Sequence, residues 1–73
     1  MNPADIAELF GQLIEVDDFE VEDNFFDLGG TSVLALQVVL EIEKRSGCTL
    51  SLIDVVHHPT PDELAAVIAA KAV

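Results

Sequence analysis

Apolar residues recur at helical spacing in four stretches of this 73-residue chain, separated by polar, glycine-rich or proline-rich breaks. Ile6, Leu9, Phe10, Leu13 and Ile14 form the first stripe. Asn2-Pro3 supplies an N-cap residue followed by the imino acid suited to a first helical position, so a helix over about 3–14 is predicted. Gly11 interrupts it at a cost of up to ~1 kcal/mol relative to Ala, which predicts close packing or local fraying there. A second periodic run follows Gly29-Gly30, whose residues can take positive φ, and ends near Ser46-Gly47. Thr31 or Ser32 is available as its N-cap. A helical wheel places Ala35, Leu36, Val38, Val39 and Ile42 toward a core and Gln37, Glu41 and Lys44 opposite. Val33 and Leu40 fall among the polar residues, so the stripe 33, 37, 40, 44 carries two aliphatic side chains on the outer face. That mismatch marks a contact surface.

Ser51, with Asp54 three positions on, starts a short helix over about 52–57 that His57-His58-Pro59 ends. Thr60-Pro61-Asp62-Glu63 reads as a capping box with Pro at the first helical position, opening a last helix over about 61–71 with Leu64, Val67 and Ile68 inward. Between the first two helices, Glu15 to Asp27 loses all period. Unstructured connections above ~12 residues are uncommon in compact domains unless functional or held by their own side chains. Phe19, Val21, Phe25, Phe26 and Leu28 are the candidates to hold this one, and an ordered loop is expected. No run has strand period. The expectation is an all-α, four-helix bundle forming a single domain over 1–73, with three main helices, one short one and a long first loop.

Charge and composition then narrow the function. Fourteen Asp and Glu against three Lys and Arg give a formal net charge of −11. Seven of the acids lie in the 15–27 segment. The deficit of cations argues against nucleic acid or an anionic membrane surface and favours partners with basic patches. With 51% apolar residues the chain is nonetheless expected to fold. At this length, stability should be roughly 4–11 kcal/mol, and the small core leaves no room for a deep substrate pocket. The single cysteine, Cys48, excludes an intramolecular disulfide and reads as a small apolar filler. No span of ~20 apolar residues and no secretory pattern is present, so a soluble cytoplasmic protein is expected; a monomer is the further expectation.

Few residues can carry chemistry. Ser32 follows a glycine turn into a helix, yet Gly30-Thr31-Ser32-Val33-Leu34 lacks the second glycine and the preceding strand of a hydrolase nucleophile elbow. His57 and His58 are adjacent rather than at i, i+4 spacing, so no metal site is read from them, and the acidic loop lacks the order of a calcium-binding loop. Ser32 has two readings. As an N-cap, its hydroxyl satisfies an orphan backbone N–H. As an exposed hydroxyl at the positive end of a helix dipole, it would tolerate an attached phosphodiester.

The run Asp23-Asn24-Phe25-Phe26-Asp27-Leu28-Gly29-Gly30-Thr31-Ser32, with Pro59-Thr60-Pro61-Asp62-Glu63-Leu64 downstream, resembles the 4′-phosphopantetheine carrier family. It is most similar to the peptidyl carriers of nonribosomal peptide synthesis, whose core reads D-x-F-F-x-L-G-G-x-S. The resemblance covers nearly the whole chain. It implies a non-catalytic carrier whose Ser32 receives 4′-phosphopantetheine from coenzyme A through a phosphopantetheinyl transferase. The arm's thiol would hold an aminoacyl or peptidyl group as a thioester. An adenylation or acyl-transfer enzyme would load it, and condensing or tailoring enzymes would use it. The family's partner surface maps onto Thr31, Val33, Gln37 and Leu40, with Ile53 and Val56 either joining it or lying in the core. Thr31 departs from the Asp or His common before the modified serine. The Met1 start and the acidity resemble free-standing carriers. The nearest alternative is an acyl carrier for a polyketide or fatty-acyl chain, and an alternative of another class is a helical interaction module without an arm.

Overall fold

Every helix in this computed structural model, which describes residues 1–72, begins on a side chain that satisfies a backbone N–H of its first turn. Helix α1 spans Pro3–Ile14, α2 Ser32–Ser46, α3 Leu52–His57 and α4 Pro61–Lys71. Asn2 Oδ1 accepts from the Asp5 N–H at 2.8 Å while the Asp5 carboxylate accepts from the Asn2 N–H at 3.2 Å. Ser51 and Asp54 make the same reciprocal pair at the start of α3. Such caps contribute roughly 1 kcal/mol each. The Thr60 box forms only in part. Thr60 Oγ1 accepts from the Glu63 N–H at 3.2 Å, but the Glu63 carboxylate takes the Thr60 hydroxyl at 3.1 Å, not the backbone N–H that a full box requires.

Helix α1 packs on α2 and α4, and α3 bridges α2 and α4. The shared core holds Ile6, Leu9 and Phe10 of α1, Ala35, Val38 and Ile42 of α2, Val55 of α3, Leu64 and Ile68 of α4, and Leu50. Phe25 adds a loop side chain to that core, fully buried. Its ring centroid lies 4.7 Å from Phe10 and 5.4 Å from Phe26, and Phe10 meets Phe19 edge-on at 5.4 Å. Each such pair adds about 0.5–1.5 kcal/mol beyond the area it buries.

The connection over 15–31 is ordered, as its aromatic residues predict. It is also strapped by backbone bonds that side-chain patterns do not announce. The Phe25 N–H donates to the Pro59 carbonyl at 2.9 Å, and the Asp62 N–H, an orphan donor at the start of α4, reaches the Val21 carbonyl at 3.0 Å. The α1 end turns through Glu15 in the left-handed region (φ 59°), and the Val16 N–H returns to the Gly11 carbonyl at 2.9 Å. Gly11 is a close-packing site: a Cβ there would sit 2.6 Å from the Val16 carbonyl oxygen.

Two expected core residues lie at the surface. Leu36 is 49% exposed, because the buried arc of α2 runs through Ala35, Val38 and Ile42. At 100° per residue Leu36 stands about 160° from Val38. Leu28 is also exposed and contributes little to holding the loop, a task that falls to Phe25 with Phe19 and Phe26. Val67 is half-buried beside Leu64 and Ile68. No helix among the described residues is long and apolar enough to cross a membrane.

Candidate functional site

The segment leading to α2 is built from Asn24 onward. The Asn24 side-chain oxygen accepts from the Phe26 N–H at 2.9 Å and the Asp27 N–H at 3.2 Å, while its carbonyl accepts from the Leu28 N–H at 3.3 Å. These bonds wind residues 25–28 into a tight turn. Gly29 leaves the turn with φ 113°, a conformation that favours glycine. The Gly30 N–H then closes on the Phe25 carbonyl at 2.9 Å. Gly30 lies so near the Phe25 ring that a Cβ would overlap it and stand 2.7 Å from the Phe25 carbonyl oxygen.

Thr31 is the N-cap of α2. Its backbone is extended (φ −122°, ψ 171°) and its hydroxyl accepts from the Leu34 N–H at 3.2 Å. That sets aside the N-cap reading of Ser32. Ser32 is the first helical residue, exposed, and its hydroxyl does not cap the helix. The N–H groups of Ser32 and Val33 have no acceptor among the described residues. The first turn of α2 carries no acid, so no side-chain carboxylate offsets the positive end of its dipole, while Lys44 and Arg45 in the last turn complement the negative end. An exposed hydroxyl thus stands at the end of a helix where negative charge is stabilised by about 0.3–1 kcal/mol. Ser32 lines neither the groove between α1 and the loop nor the one between α1 and α2, although Gln37 and Leu40 border the latter.

Around Ser32 the outer face of the bundle is apolar. Val33 and Leu40 are each 67% exposed, Ile53 is 62% exposed, and Val56 is exposed beside it in α3. Gln37 lies exposed within the α2 stripe and Thr31 at its head. The spacing of Ile53 and Val56 leaves both placements open; the structure puts them outside, because α3 buries only Val55. Leu36 joins this face, against the expectation from the wheel. Its signal is present in that same wheel, about 40° from Leu40 and about 60° from Val33. Asn24 is a structural determinant that the periodicity does not reveal, although an Asx residue two before a turn amide is a recognisable local pattern.

The remaining candidates lie elsewhere. His57 is exposed at the end of α3 and His58 is half-buried as its C-cap. Cys48 is half-buried against the core as an apolar filler. Among the described residues, no three His, Cys, Asp or Glu side chains converge as a metal site. At the start of α3, the Ser51 backbone N–H holds the Asp54 carboxyl below the ordinary aspartate range. Partial burial opposes this shift, while the ammonium of Lys71, 3.6 Å away, reinforces it.

Known proteins share both this sequence pattern and this geometry. A family model described as "Phosphopantetheine attachment site" matches residues 4–68. The chain is 37% identical over 62 residues, 85% of its length, to tyrocidine synthase 3 of Brevibacillus parabrevis. It is 34% identical over 62 residues, 85% of its length, to novobiocin biosynthesis protein H of Streptomyces niveus. It spans only 1% and 10% of those two proteins. Among solved structures, a peptidyl carrier protein in complex with the phosphopantetheine transferase Sfp and coenzyme A superposes with a TM-score of 0.90 at 26% identity, covering 96% of this chain and 91% of that one. An active-site mutant peptidyl carrier protein superposes with a TM-score of 0.91 at 25% identity, over 97% of this chain and 79% of that one. The chain belongs to the phosphopantetheine attachment-site family, as a non-catalytic carrier domain of the nonribosomal peptide synthetase type whose cofactor is 4′-phosphopantetheine.

Proposed function

We propose that Ser32 bears the 4′-phosphopantetheine arm and that this carrier, a single domain over 1–73, presents an aminoacyl or peptidyl group in nonribosomal peptide assembly. The observation that carries the proposal is the division of labour at the head of α2. Thr31 caps the helix, which frees the Ser32 hydroxyl to accept the arm. When bound, the arm supplies a terminal thiol that holds the cargo as a thioester. The chain's own residues fit its phosphodiester. Ser32 offers an unburied oxygen, the N–H groups of Ser32 and Val33 lie at the positive helix end, and the first turn has no carboxylate to repel the phosphate.

The partners fit the same reading. A phosphopantetheinyl transferase would modify Ser32, an adenylation enzyme would load the arm, and condensing or tailoring enzymes would take the cargo. Their common docking face comprises Thr31, Val33, Gln37, Leu40, Ile53 and Val56, the exposed apolar surface flanking Ser32. Coenzyme A and adenylating enzymes both belong to the cytoplasm, where this reading locates a monomeric carrier. The likeness to a tyrocidine synthase and to solved peptidyl carrier proteins favours an amino-acid cargo over an acyl one.

Intact mass after incubation with coenzyme A and a broad-specificity transferase is the test. The wild type should gain one phosphopantetheine and Ser32→Ala none. An unchanged wild-type mass sinks the proposal. Offering the modified protein to adenylating and to malonyl-transferring enzymes then separates the aminoacyl from the acyl carrier by the thioester that forms.

A further inference from the structure

We propose that Asn24 is a positioning residue for the modification of Ser32. The inference rests on the carrier reading above and adds a residue that touches neither coenzyme A nor the reacting hydroxyl. Three hydrogen bonds make Asn24 the organiser of the turn before α2. Its side-chain oxygen holds the Phe26 and Asp27 N–H groups at 2.9 and 3.2 Å, and its carbonyl holds the Leu28 N–H at 3.3 Å. No other side chain among the described residues accepts from the 25–30 backbone.

The path from Asn24 to Ser32 is short and stiff. Phe25 is anchored on both sides, its ring buried in the core and its N–H on the Pro59 carbonyl. Gly30 is fixed against Phe25 through its N–H and through ring contact. The least constrained stretch is 26–29, where the Gly29 N–H makes only a long bond to the Phe26 carbonyl at 3.5 Å, Gly29 has no neighbour within 4 Å of a would-be Cβ and Leu28 is exposed. The Asn24 side chain closes that gap in the constraint. Without it, the Phe26 and Asp27 N–H groups turn to water, the 26–29 segment relaxes, and Thr31-Ser32 enters α2 with a less defined first turn. Most of the docking face keeps its geometry, because Leu40 lies beyond the first turn of α2 and Ile53 and Val56 sit on α3, which has its own cap.

The predicted signature is therefore a split between turnover and docking. With the apo-carrier as the varied substrate of a phosphopantetheinyl transferase at saturating coenzyme A, Asn24→Ala should lower kcat by roughly ten- to a hundredfold, the loss expected for a reactive group misplaced by about 1 Å, with KM little changed. Asn24→Asp, which keeps an acceptor oxygen at the same position, should restore most of the rate. Asn24→Gln keeps the amide but moves its oxygen one methylene away; it should behave like Asn24→Ala and serves if the alanine variant loses helical circular dichroism. Folded Asn24→Ala or Asn24→Gln protein with wild-type kcat overturns the proposal. So does an aspartate variant as slow as the alanine one, or a loss that appears wholly in KM. A wild type that takes up no phosphopantetheine fails at an earlier step and removes the carrier reading itself.

Discussion

Gly30 has no room for a side chain. Its φ lies outside the left-handed region, so backbone freedom is not what it provides. What it provides is the missing side chain, since a methyl there would overlap the Phe25 ring, and that ring is buried against Phe10 and Phe26 with nowhere to retreat. Gly30→Ala should cost roughly 1–3 kcal/mol as overpacking, read as a lower urea midpoint at unchanged slope. Against a stability of roughly 4–11 kcal/mol that is a large share. Thr31→Ala should cost about 1 kcal/mol by freeing the Leu34 N–H, whereas Ser32→Ala, whose hydroxyl caps nothing, should leave unfolding almost unchanged. A Ser32→Ala variant as destabilised as Thr31→Ala would mean the cap has been assigned to the wrong residue.

At the scale of the element, the four helices are legible because each writes its start in side chains: Asn2-Pro3, Thr31, Ser51 with Asp54, and Thr60-Pro61. Their outward faces are less legible. A helical wheel gives an apolar arc but not which neighbours cover it, so it turns Leu36 inward although α1 and α3 leave its side of α2 open. The six residues of α3 make fewer than two turns, too few for spacing alone to tell Ile53 and Val56 from core. The structure turns that ambiguity into a prediction. Val33→Asp and Leu40→Asp should keep helical circular dichroism while impairing modification or cargo transfer, in contrast to Ile42→Ala, which should lose about 2–5 kcal/mol of stability. The cap of α3 adds a pH dependence. Asp54 titrates below its ordinary value in the folded state, so its contribution is complete above the unfolded-state pKa of about 3.9 and is lost as pH falls through the lower folded value. The stability gap between wild type and Asp54→Asn should close on acidification below about pH 4, and a gap that widens there would contradict the assignment.

Over the whole molecule, charge is sorted by position. No Lys or Arg precedes residue 44, and the ion pairs Arg45–Glu41 and Lys71–Asp54 both lie away from the 15–27 loop. The loop's carboxylates therefore carry no ion pair among the described residues, within a body only 31 × 21 × 20 Å across. Screening operates over about 10 Å at 0.1 M salt, so added sodium chloride should raise the urea midpoint by relieving repulsion among them, and should slow association with basic partners. A midpoint that falls with salt would show that the two ion pairs outweigh the repulsion. The long loop itself is legible as ordered from its phenylalanines, but its straps are not, because the Phe25–Pro59 and Val21–Asp62 bonds join backbone groups that any residue could supply. Those straps change what a protease meets. Trypsin has no site before Lys44, and a glutamate-specific enzyme finds Glu15, Glu20 and Glu22 in a segment without helix or strand. Cleavage there should nonetheless proceed at the rate at which the bundle opens, since threading the loop into a protease cleft requires releasing α4 from Val21 and the α3–α4 turn from Phe25.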